Sequence, residues 1–145
     1  MGSTTRSIRI RGEFDEIAKA ATDPDVVFPI MGGFGRFELI DRYSDGTQEW
    51  DLYLDVGSIH VGGRVAVDAP GAGSLTWRSI RGTHHSARLE VSPDDDGALV
   101  SMTITVELAG RLVVGWVAQF LADGILGRHI EAGLQQLRHR IEYGS

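Results

Sequence analysis

From Phe34 to Leu108 apolar and polar positions alternate with a period close to two, the pattern of strands with one buried face. Trp50, Leu52, Leu54 and Val56 alternate with Glu49, Asp51, Tyr53 and Asp55. Phe37 and Leu39 open the run, and Val61, Gly63, Val65 and Val67 continue it. Leu75, Trp77 and Ser79 follow, then His85, Ala87, Leu89 and Val91. Val100, Met102, Ile104, Val106 and Leu108 alternate with Ser101, Thr103, Thr105 and Glu107. Between these segments lie Ser44-Asp45-Gly46, Ala69-Pro70-Gly71-Ala72-Gly73 and Pro93-Asp94-Asp95-Asp96-Gly97, residues that favour tight turns. Short turns with no helical crossovers predict about six consecutive antiparallel strands.

The two ends read differently. Ile8 and Ile10 alternate with arginines over Ser7 to Arg11, a first strand that Gly12 breaks. Phe14, Ile17, Ala18 and Ala21 recur at helical spacing, predicting a short helix over 13–22. Thr22-Asp23-Pro24-Asp25 ends it and starts a second turn of helix, because aspartate caps and proline suits a first helical position. Val26, Val27 and Phe28 follow, and Pro29 is expected to stop that element. After Gly110 the period becomes helical through Val113, Val117, Phe120, Gly124, Gly127, Leu134, Leu137 and Ile141. A helix over 112–142 would be about 45 Å long at the usual rise. Its first half is apolar nearly all round and its second half is amphipathic, so the first half should be covered on several sides. Gly124 and Gly127 inside it suit a bend or a close approach to the sheet.

The 145 residues are the size of one domain, 1–145, with no linker or repeat. Hydrophobic residues make 42% and charged residues 23%, an ordinary soluble composition. The net charge of −6 and the lack of a basic face argue against nucleic acid. Arg138, His139 and Arg140 cluster only in the last turns of the helix, where cations offset its dipole. With no cysteine there is no disulfide, thiolate nucleophile or thiolate metal site, which fits a reducing compartment. The N-terminus lacks a signal-peptide pattern, and the apolar run Leu112 to Leu126 is too short to span a bilayer. The expected location is cytoplasmic. Histidines and carboxylates lack ligand spacing, so no metal and no cofactor is expected.

The order of strand, two short helices, six antiparallel strands and a long final helix resembles the START-like superfamily, also called Bet v 1-like or SRPBCC. Phe14-Asp15-Glu16-Ile17, Thr22-Asp23-Pro24, Val61 to Val65, Leu75 to Gly82 and Leu134 to Glu142 agree with its bacterial polyketide cyclase/dehydrase-type members. The resemblance implies an α+β helix-grip fold: a curved antiparallel sheet of about seven strands around the C-terminal helix. It also implies a cavity between the two for an apolar or aromatic small molecule, polyketide- or lipid-like, as in lipid transport. Some members are cyclases or dehydratases, and others are protein-interaction modules without ligand. The lining would be Phe28, Phe37, Trp50, Leu52, Leu54, Trp77, Met102 and Ile104 from the sheet side, with Trp116, Phe120 and Leu121 from the helix. The same residues suit a filled core.

Ser79 and His85 are in phase with the apolar face. His85 is the best candidate for a catalytic acid or base, or else a polar anchor or a hydrogen-bonded core histidine. His84 points to the other face. Arg78, Arg88 and Tyr53 are out of phase and should lie outside unless a β-bulge reverses the alternation. Sequence leaves open a monomer or a homodimer.

Overall fold

The structure is a computed structural model that describes residues 2–31, 35–56, 59–68, 73–82, 84–106 and 124–144. β1 (Gly2–Arg11) is followed by α1 (Phe14–Ala21) and α2 (Pro24–Met31). Then come β2 (Gly35–Arg42), β3 (Gln48–Val56), β4 (Ile59–Val67), β5 (Ser74–Gly82), β6 (His85–Asp94) and β7 (Gly97–Val106). The last described element is α3 (Ile125–Tyr143). All seven strands form one antiparallel sheet in the order β1-β7-β6-β5-β4-β3-β2. This is the α+β helix-grip arrangement. The excursion through α1 and α2 carries the chain from one edge of the sheet to the other, so β1 pairs with β7 rather than β2.

Alternation is obeyed where the sequence shows it. In β6, Ala87, Leu89 and Val91 are buried while Ser86, Arg88, Glu90 and Ser92 are exposed. Ile17 and Ala21 of α1 and Ile130, Leu134 and Leu137 of α3 bury against the same face, at the three- and four-residue spacing of one helical stripe. Asp95 and Asp96 alone form the turn between β6 and β7. Pro93 therefore sits within β6, beyond the last residue that β5 pairs with, where its missing N–H interrupts no ladder.

Four features depart from the sequence expectation. β1 starts at Gly2 and pairs residue by residue with β7 as far as Arg11. α2 continues past Pro29 to Met31; the proline is exposed, so the carbonyl deprived of its donor can turn to water. Gly124 precedes α3 in a left-handed conformation, φ 68°, so the right-handed helix does not run through it; residues 112–123 lie outside the described set. Finally, two bulges interrupt the sheet, one between Leu39 and Asp41 and one between Arg64 and Val65. The extra residues are Ile40 and Ile80, and both are exposed. Bulges bend a strand and increase its twist, which curls the sheet.

The second bulge brings β4 and β5 very close. A Cβ on Gly63 would run into the Arg81 carbonyl, and one on Gly82 into the Gly62 carbonyl. Both glycines also have positive φ, 146° and 89°, conformations that side chains oppose.

α3 meets the β1 edge at two points. Glu142 Oε2 accepts the Arg11 backbone N–H at 3.0 Å, and Glu131 Oε1 accepts Arg6 Nε at 2.9 Å. Residues 131 and 142 are about three turns apart and so share one stripe of the helix. A carboxylate is a suitable partner for an edge strand, whose outward N–H groups otherwise invite another chain; Glu142 takes one such N–H, and Glu131 holds the Arg6 side chain.

Candidate functional site

The concave face is built in rows by the strand register. Leu39, Trp50, Val65 and Ser79 follow one another across β2 to β5. Trp77, Ala87, Ile104 and Thr4 form another row, and Leu75, Leu89, Met102 and Arg6 a third. α2 drops Phe28 onto these rows. The Phe28 ring stacks on Phe37 at 5.2 Å and meets Trp50 and Trp77 edge-on at 4.9 and 5.0 Å, geometries that aromatic quadrupoles favour. Phe28 and Met102 are completely buried, and Trp50, Trp77 and Leu52 nearly so. Trp50 Nε1 donates to Gln48 Oε1 at 2.8 Å, so its one polar atom is satisfied.

Five of the expected lining residues therefore form a closed apolar wall. Four others, Phe37, Ser79, His85 and Ile104, are only half-buried on the same face, as is Leu39. Ser79 and His85 meet where β5 and β6 part: the His85 backbone N–H donates to Ser79 Oγ at 3.0 Å. Ile104 is the cross-strand partner of Ala87, two residues along from His85. The Leu54 side chain and residues Trp116, Phe120 and Leu121 lie outside the described set.

His84, Arg78, Arg88 and Tyr53 are exposed, on the side alternation assigns them. The Ile80 bulge falls after Arg78, so it leaves that residue outside; it shifts Arg81, opposite Arg64, onto the convex face. There Arg64 donates to Asp51 at 2.8 Å, holding the carboxyl below the usual carboxylate range, with Arg81 adding to the effect.

Arg6 is a functional candidate that the sequence reading passed over. It occupies an inward position of β1 opposite Met102. Its Nε pairs with Glu131, its Nη1 donates to the Thr5 carbonyl at 2.8 Å, and its guanidinium lies against Gly127. A Cβ at position 127 would collide with that guanidinium. Gly127 thus serves a close approach, as expected, but of a side chain rather than of the sheet backbone. The signal was there: extending the Ile8 and Ile10 alternation back by one step places Arg6 inward.

At the opposite end, a polar groove of about 620 Å³ runs between the β6–β7 turn and the end of α3. Arg9, Asp94, Arg138 and Glu142 line it with mixed charge, and Arg9 Nε pairs with Asp94 at 3.3 Å. On α3, burial and then Arg128 push the His129 imidazole down. Among the described residues no group of three histidines or carboxylates can hold a metal, and no helix is long and apolar enough to cross a membrane.

No family model and no curated protein matches this chain. Solved structures do. The TTHA0849 protein from Thermus thermophilus superposes with a TM-score of 0.79 at 16% identity, covering 97% of each chain. A START superfamily protein from Mycobacterium smegmatis gives 0.72 at 16% identity over 99% of each. The Zhui aromatase/cyclase from a Streptomyces species gives 0.73 at 15% identity, over 97% of this chain and 93% of that one. The fold is START-like. It is similar to the fold of an aromatase/cyclase as well as to that of a START superfamily protein, and identities this low speak for architecture alone.

Proposed function

We propose that the chain binds an apolar or aromatic small molecule, polyketide- or lipid-like, between the concave face of the sheet and the C-terminal helix. The observation that carries this reading is the half-buried border of an otherwise closed apolar face. Phe37, Leu39 and Ile104 offer apolar surface there, and Ser79 and His85 offer polar contacts. An apolar wall with few polar groups is the usual make-up of a small-molecule site. Saturable uptake of an apolar fluorescent probe is expected, with Ile104→Arg weakening it at least about tenfold, worth about 1.4 kcal/mol. Native mass spectrometry of protein from its own host should find a stoichiometric apolar metabolite. Protein that is clean in that measurement and takes up no probe would sink the reading and shift the weight to a protein partner.

The similarity to an aromatase/cyclase, with His85 and Ser79 adjacent on the inward face, supports a second reading as a cyclase or dehydratase of such a molecule. His85→Gln would then abolish product formation while leaving ligand affinity within about twofold. Equal loss of both would make His85 a binding residue only.

A further inference from the structure

The two edges of the sheet are treated differently. α3 meets β1 through Glu142, which accepts the Arg11 backbone N–H, and through Glu131, which pairs with the Arg6 side chain, whereas among the described residues nothing pairs with the outer side of β2. On the convex face of β2, Arg36 and Glu38 are both exposed. Arg36 is held over the Tyr53 ring at 5.3 Å. Glu38 stands directly opposite Asp51 in the β2–β3 register, and Asp51 is already committed to Arg64 at 2.8 Å. Glu38 makes no hydrogen bond or ion pair of its own among the described residues. An acid beside an acid is unfavourable across a strand pair, and the position lacks a cation. On the concave face, Phe37 and Leu39 come to the same edge only half-buried.

We propose that β2 pairs antiparallel with β2 of a second copy of this chain, about a two-fold axis at Phe37. Symmetric pairing that keeps concave with concave must be centred on a residue, because a one-residue slip turns every side chain to the other face. Centring on Arg36 sets arginine against arginine. Centring on Glu38 sets acid against acid beside Asp51. Centring on Leu39 runs into the bulge at Ile40. Centring on Phe37 sets each Arg36 against the second copy's Glu38, twice over by symmetry. It also lays Phe37 against Phe37 and Leu39 against Gly35 on the other face, continuing the apolar surface. The bulge ends regular pairing after Leu39, and a strand this short makes a weak, reversible dimer. The inference is independent of what the concave face binds.

Sedimentation velocity over a range of concentrations tests it. The expected result is a reversible monomer–dimer equilibrium that weakens with salt. Arg36→Glu and Glu38→Arg should each weaken dimerisation about tenfold. The double exchange should restore it to within about threefold, since the charges face each other again with reversed sign. Circular dichroism of each variant shows that the fold is retained, and the restored double exchange guards against a folding defect in either single variant. A chain that stays monomeric to millimolar concentration overturns the proposal. So does a dimer indifferent to both single reversals, or one that the double exchange fails to restore.

Discussion

Asp51 and Arg64 show how one residue pair ties the convex face together. The guanidinium reaches both carboxylate oxygens, at 2.8 and 3.2 Å, and the side chains are only 17% and 25% exposed. A two-point, half-buried pair is stronger than a solvated one. The hydrogen bonds from Arg64 lower the Asp51 pKa in the folded state. Its stabilisation is therefore present above the pKa of the unfolded chain and is lost as pH falls through the lower, folded value. Asp51→Asn should destabilise the protein by about 1 kcal/mol at neutral pH. That penalty should begin to shrink as pH falls below about 4, where the unfolded carboxylate takes up its proton, and vanish below the lower folded value, where the wild-type carboxylate is protonated as well. Urea midpoints of both proteins across the acid range check this. A penalty that does not change with pH would show that the pair contributes through packing rather than charge.

At the scale of elements, α2 is the one that tertiary contacts must hold. It is eight residues long with a proline inside, and helices so short are marginal on their own. Phe28 is what anchors it, touching Phe37, Trp50 and Trp77 with no exposed surface. Phe28→Ala should destabilise by about 3–5 kcal/mol and Phe28→Leu by clearly less. The near-ultraviolet signal of Trp50 and Trp77 should weaken before far-ultraviolet ellipticity does. Retained near-ultraviolet signal in the alanine variant would mean that the tryptophans are ordered by the sheet alone. The contrast also explains what was legible beforehand. Strands β5 to β7 could be read because burial on one face imposes a period of two. Ile40 and Ile80 could not, because a bulged isoleucine looks like any other apolar residue until the register is known. Phe28 could be placed near the apolar wall, but only the packing of α2 shows its ring buried among Phe37, Trp50 and Trp77. Of the candidate site, Ser79 and His85 followed from phase, while Arg6 was lost because a polar N-terminus gave no reason to begin the strand at Gly2.

Over the whole molecule, an open antiparallel sheet leaves two edges, and the same helix that grips the sheet meets one of them. That places a specific demand on Glu142. The Arg11 N–H points away from β7 and, among the described residues, meets only the Glu142 carboxylate at 3.0 Å, whereas the next amide, Gly12, donates to the Asp96 carbonyl at 3.1 Å. Removing the carboxylate should act on the first and spare the second. Glu142→Ala is expected to speed hydrogen exchange of the Arg11 amide by about tenfold, the loss of one hydrogen bond to a charged acceptor. Gly12 should keep its rate, since the β6–β7 turn still holds it. If both amides accelerate together, α3 as a whole has come away and the carboxylate is only one part of a larger docking surface. If neither moves, the edge is guarded by the bulk of the helix, and the pairing of Glu131 with Arg6 becomes the contact that sets where β1 and α3 meet.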